Sequence, residues 1–179
     1  MTPLRAAALT TLLSLCVAPP AAAGEKKSKP SATRKSSEDS GPQWVEKSDI
    51  RGFSLKLPQG FTASQDDWST TYKAVLPPDA AQVKAVIALE SLDELNPITN
   101  METAVSFITS KRPAGVKTTL AEQQEIPNGY LVVIGPDYDI YTVHVIRNGK
   151  EVQVRAQCSG PRSHLKELKE MCLSVKPAK

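Results

Sequence analysis

From Trp44 onward the spacing of apolar and polar residues predicts short strands separated by turns, with two helices among them. The first strand spans Gly52 to Leu57, where Phe53, Leu55 and Leu57 alternate with Ser54 and Lys56. Pro58-Gln59-Gly60-Phe61 then turns the chain. Trp68 to Leu76 alternates in the same way and stops at Pro77-Pro78-Asp79, and Val83 to Ser91 is more apolar, as a more central strand is. Met101, Ala104, Val105 and Ile108 then recur at helical spacing behind a capping box of Thr99 and Glu102, and Pro113 and Gly115 stop that helix. Thr118 to Ile126 is polar enough for a sheet edge, Pro127-Asn128-Gly129 is a turn, and Tyr130 to Ile134 is a continuous apolar run of the buried type.

The stretch from Asp139 to Cys172 carries the most information. Asn148-Gly149 between two β-rich runs predicts a hairpin with a two-residue turn. That turn sets Arg147 opposite Lys150, Val145 opposite Val152, Val143 opposite Val154 and Tyr141 opposite Ala156, an apolar face that belongs to the core. The other face pairs Ile146 with Glu151, His144 with Gln153, Thr142 with Arg155 and Ile140 with Gln157, and its polarity suits water or a partner. Cys158 has the parity of the core face. A helix capped by Ser163 follows, with Leu165, Leu168 and Cys172 along one side, and a short strand from Leu173 to Val175 closes the chain. A helix laid on the core face brings Cys172 toward Cys158.

Composition changes the picture mainly at the N-terminus. Met1 to Ala23 reads as a secretory signal peptide, with Arg5, an apolar run from Ala6 to Ala18 and small residues before Gly24. That run is shorter than the roughly 20 residues a spanning helix needs, and no later run is long enough. Leu13-Ser14-Leu15-Cys16 outlines a lipobox, so a lipoprotein anchored at Cys16 is the minor alternative, although Leu15 is bulky where a small residue is wanted. Residues 24–43 carry no aliphatic or aromatic side chain beyond Ala32 and read as a disordered polar linker, leaving 44–179 as a single domain. Export places the protein in the periplasm or outside the cell. Removal of the signal leaves two of three cysteines, Cys158 and Cys172, and an oxidising compartment makes them a disulfide. A metal site built from Cys158, His164 and Cys172 is the rival, with too few ligands for structural zinc.

Charge excludes more than it suggests. From Trp44 to Lys179 there are 16 basic and 16 acidic residues, with no basic stripe for nucleic acid. Only His144 and His164 could act as bases at neutral pH, and no serine sits in a nucleophile elbow. His164, in the first turn of a helix, is expected to be solvated. Asp66-Asp67, Asp93-Glu94 and Asp137-Tyr138-Asp139 fall in turns, where acidic residues serve the backbone, and none makes a calcium loop. No catalytic, cofactor-binding or metal-ligating set emerges, so the sequence reads as a non-enzyme without a cofactor.

The order of elements predicts an α+β domain: a mostly antiparallel sheet of about six to eight strands with two main helices. FSLKLPQGF, from Phe53, resembles the strand-Pro-x-Gly-aromatic opening of the PsbP-like and DcrB-like superfamily. CSGPRSHLKELKEMCLSVKP, from Cys158, resembles that group's final helix and short strand. The resemblance spans Trp44 to Lys176 and implies an α/β/α sandwich and a non-catalytic accessory or binding protein. Many exported bacterial members have a comparable cysteine pair. Partners in that group are diverse and no binding residue carries over. Two functions follow: an accessory protein that binds a protein or another envelope component, or a small-molecule carrier or hydrolase with a helix–sheet pocket near His144. Oligomeric state is left open.

Overall fold

In the computed structural model of the protein the described residues are 42–92, 97–112 and 118–178. The signal peptide, the lipobox, nearly all of the linker, the helix-stopping Pro113 and Gly115 and the pair Asp93-Glu94 lie outside them. In chain order the elements are β1 (Trp44–Asp49), β2 (Phe53–Pro58), β3 (Thr62–Gln65), β4 (Ser69–Leu76), β5 (Ala81–Ser91), α1 (Met101–Ser110), β6 (Leu120–Ile126), β7 (Gly129–Asp137), β8 (Ile140–Asn148), β9 (Val152–Pro161), α2 (Leu165–Ser174) and β10 (Lys176–Pro177). A 3₁₀ turn, Arg162–His164, leads into α2.

Two antiparallel meanders make the main sheet. β3-β4-β5 is one and β6-β7-β8-β9 the other, and β9 lies antiparallel to β5, giving the order β3-β4-β5-β9-β8-β7-β6. β1, β2 and β10 form a separate three-stranded sheet. One face of the main sheet packs against β2 and α2: Phe53, Leu55 and Leu57 meet Leu168, Met171 and Cys172 over Ile87, Leu131, Val143 and Val154. The opposite face is covered in part by α1, where Ala104 and Ile108 pack on Val132, Ile134 and Ile146. This is the expected α+β sandwich. The uninterrupted apolar run of β7 has its cause here, because Leu131 and Val133 enter one core while Val132 and Ile134 enter the other.

Several local expectations give way to other constraints. β8 remains a strand through Asn148, and Asn148 pairs with Gln153, so residues 149–151 form a longer loop. Each partner therefore moves four residues along β9: Val145 faces Ala156, Val143 faces Cys158 and His144 faces Gln157. Four is even, so every side chain keeps its expected face. The two-residue turn with two left-handed residues is instead at Tyr138 (φ 48°) and Asp139 (φ 67°), between Asp137 and Ile140. Asn148 is held straight by its own amide, which donates to the Ile98 carbonyl (3.0 Å) and accepts from Gln153 Nε2 (2.6 Å).

The caps also differ. Asn100, one residue beyond Thr99, caps α1 by accepting from Thr103 N–H at 2.8 Å. Ser163 does not cap α2, because its hydroxyl donates to Asp79 (2.6 Å). The helix continues to Ser174, so the last strand is Lys176–Pro177 rather than Leu173 to Val175. β1 and β3 were not expected: nearly all of their residues are exposed, and apart from Trp44, which packs on the main core, they are held by ladder pairing. The small sheet is tied to the large one through Asp49, whose carboxylate accepts from Thr70 (2.9 Å) and Tyr72 (3.3 Å) of β4. Burial pushes the Asp49 carboxyl up, but the bonds from Arg51 N–H, Thr70, Gln65 and Tyr72 outweigh it and hold it below the usual range.

The Cα atoms of Cys158 and Cys172 are 6.0 Å apart, in the range a disulfide spans, and both residues are fully buried. A bond closing a loop of this size is worth about 3 kcal/mol in the chain-entropy model. Cys158→Ser is expected to lower the denaturation midpoint in non-reducing buffer, and reductant added to the unfolded parent protein should do the same. Equal midpoints in all cases would show the cysteines unbonded. Asn148→Ala removes the acceptor of a buried glutamine and is expected to cost about 1–3 kcal/mol. Equilibrium urea unfolding measures it, and a change below a few tenths would show that the amide bridge is idle.

Candidate functional site

The α1 face of the main sheet is only half covered. α1 lies over β7 and the adjoining part of β8, while the outward residues of β5 and β9 run beyond its edge. Between the C-terminal half of α1 and these strands is a cleft of about 300 Å³. Strand register builds its floor: Ala88 stands opposite Arg155, and Gln157 stands opposite Val86 on one side and His144 on the other. Helical spacing builds its wall, because Phe107, Ile108, Lys111 and Arg112 occupy the last turn of α1 and the residues just beyond.

The electrostatics of this cleft are dominated by cations. The Arg155 guanidinium pairs with Glu90 and lies 4.2 Å from the centroid of the Phe107 ring. Lys111 Nζ is 4.2 Å from the same centroid. Arg112 reaches Asp137 at 4.0 Å. Burial lowers the Arg155 guanidinium to about 10, and its Nε is buried with no hydrogen-bond partner. The half-buried His144 imidazole is lowered to about 4, first by burial and then by the positive field of Arg112, so it is neutral at physiological pH.

The residues singled out in the sequence are therefore separated. His144 lies on the α1 face and lines the cleft. Cys158 and Cys172 lie in the opposite core with Val143 and Leu168. His164 departs from the expectation. It is buried at 4% exposure rather than solvated, and its Nε2 is 2.8 Å from Asp79 Oδ1. Its ring is thus engaged by the β4–β5 turn instead of the cysteines. Asp79 takes bonds from Ser163 and His164 as well as from Ala81 N–H, which bring its carboxyl down to about 2. Asp66 serves its turn as expected, accepting from Trp68 and Ser69 N–H at 2.8 and 2.6 Å. Among the described residues no group of three or more histidine, cysteine or acidic side chains could hold a metal ion.

The hairpin face expected to meet water is partly covered, since Ile146 enters the core beneath α1 while Ile140 stays exposed. Glu90, Phe107, Lys111, Arg112 and Arg155 were not singled out as a site. Parity placed Arg155 and His144 on one face, but nothing in the sequence said that α1 would set Phe107 beside Arg155.

No family model matches the chain, and no curated protein matches it. Among solved structures, its fold is similar to the solution structure of cyanobacterial PsbP from Synechocystis sp. PCC 6803, with a TM-score of 0.47 and 12% sequence identity, covering 80% of this chain and 98% of that one. At this similarity no residue, partner or activity carries over.

The depressed His144 pKa has a definite consequence. An unfolded chain protonates this histidine near 6.5 while the folded one resists until about 4, so stability is full above pH 6.5 and falls across that window. An NMR pH titration is expected to give His144 a midpoint near 4, and His144→Gln should flatten that part of the stability profile. A midpoint at or above 6 would mean the imidazole is open to solvent.

Proposed function

We propose that the protein is a non-catalytic binding protein of the exported, cell-envelope class, and that it holds a small molecule in the cleft between α1 and the sheet. The carrying observation is the cleft itself: about 300 Å³ between helix and sheet, with apolar walls from Val86, Ala88 and Ile108 and a few convergent polar groups. The neighbouring charge on His144 is Arg112. A catalytic base wants the reverse, a carboxylate that orients the ring and stabilises the imidazolium. His144 is better suited to forming a neutral polar wall. Export is supported by the signal-like N-terminus, and a buried cysteine pair at disulfide distance fits an oxidising compartment. No helix among the described residues is long and apolar enough to cross a membrane.

A second reading has its own observation. Ile50 (93% exposed) and Trp68 (84%) sit on two neighbouring turns held together by Arg51 to the Asp66 carbonyl and by Gln65 to Asp49. Exposed apolar tips of this kind suit a protein partner.

A chemically mixed fragment library, followed by ¹⁵N NMR, separates the two. Binding fragments are expected to shift the amides of Ala88, Phe107, His144 and Gln157, and Ala88→Phe, which fills the cleft from an outward position on β5, should abolish those shifts. Shifts confined to the Ile50 and Trp68 turns, or binding unchanged by Ala88→Phe, would reject the cleft.

A further inference from the structure

Given that the cleft is the binding site, we infer that its ligand is a small organic monoanion, an acidic head group on an apolar body of about ten non-hydrogen atoms. The charge follows from counting the groups that face the cleft and their partners. Lys111, Arg112 and Arg155 are cationic, Glu90 pairs with Arg155, and Asp137 lies 4.0 Å from Arg112. Three positive charges against two negative leave an excess of one. His144 adds none, being neutral above about pH 4.

The unmatched charge has a location. Among the described residues no carboxylate pairs with Lys111, whose ammonium rests over Phe107. The same ring carries Arg155, whose guanidinium is paired with Glu90. Two cations, only one of them matched by a carboxylate, thus converge on one aromatic ring at the cleft. A bare inorganic anion would use only that corner. Val86, Ala88 and Ile108 line the rest of the cleft with hydrocarbon, which favours a ligand that is apolar away from its head. Size follows from volume. At roughly 30 Å³ for each water-sized group, about 300 Å³ holds about ten of them.

Benzoate, benzamide, benzylamine and inorganic phosphate test charge and body separately, by NMR titration of the full mature chain at low salt. Benzoate is expected to shift the cleft amides with an affinity at least tenfold above that of benzamide, with no shift from benzylamine and a weaker one from phosphate. Lys111→Met changes an exposed position that should not disturb folding, and it should weaken benzoate about tenfold while leaving benzamide unchanged; Arg155→Met should do the same. Equal affinity for benzoate and benzamide, or preference for benzylamine, would overturn the anion assignment and leave the cleft standing. Phosphate binding as tightly as benzoate would overturn the apolar body. Absence of cleft shifts with all four probes and with the mixed library would remove the cleft reading and this inference together.

Discussion

The structure depends on the ladder between β5 and β9. Each meander can form from neighbouring segments of the chain, but only this ladder, running from Lys84 opposite Ser159 to Ser91 opposite Val152, joins them into one sheet. Its partners are some 60 to 75 residues apart, so loop closure opposes it and local turns cannot supply it. Burial on the core face favours it. Ala85 and Ile87 of β5 meet Ala156 and Cys158 of β9 under α2, which also brings Cys172 within disulfide distance of Cys158. The clamp at His164 and Ser163 acts at the same end, holding the β4–β5 turn through Asp79 against the approach to α2.

Because side chains alternate along a strand, the ladder that builds the core also builds the cleft. Val154, Ala156 and Cys158 point into the core, while Arg155 and Gln157 point to the other side. α1 packs over Val132, Ile134 and Ile146, which lie toward the β6 edge, and so leaves the β5–β9 junction open beneath its C-terminal end. Phe107 reaches from that end toward the junction and gathers Arg155 and Lys111 around its ring. The cleft is a consequence of where one short helix lands on a sheet wider than itself.

The sequence showed faces more clearly than connections. The parity of Val143, Val145, Val154, Ala156 and Cys158 was legible because a buried face imposes a period of two, and a four-residue slip in pairing leaves that period intact. The slip itself was not legible. Asn148-Gly149 carries the usual chemistry of a tight turn, yet the Asn148 amide is engaged by Ile98 and by Gln153, a contact fixed by tertiary structure alone. Asp137-Tyr138-Asp139 was legible as a turn, but its tightness was not, because β7 and β8 are aligned by burial on both faces. β1 and β3 escaped notice for the opposite reason, as exposed strands have no apolar period to read. The cleft combined a helix end and three strands, and only Arg155 and His144 were already on a common face. The packing of α1 that assembles the rest leaves no local signature.

β9 therefore serves two demands that alternate residue by residue. Changes at Ala156 or Cys158 act on the close packing under α2, where even one methylene is felt. Arg155, one position away, bears little on that core, and its guanidinium is held by Glu90 and Phe107 on the far side of the sheet. That guanidinium is largely withdrawn from water and makes one ion pair, while its buried Nε has no acceptor. Such an arrangement contributes little to stability, since desolvation offsets much of what the pair returns. In the proposed site Arg155 stands on the strand that closes the sheet, which gives the floor of the cleft a rigid base.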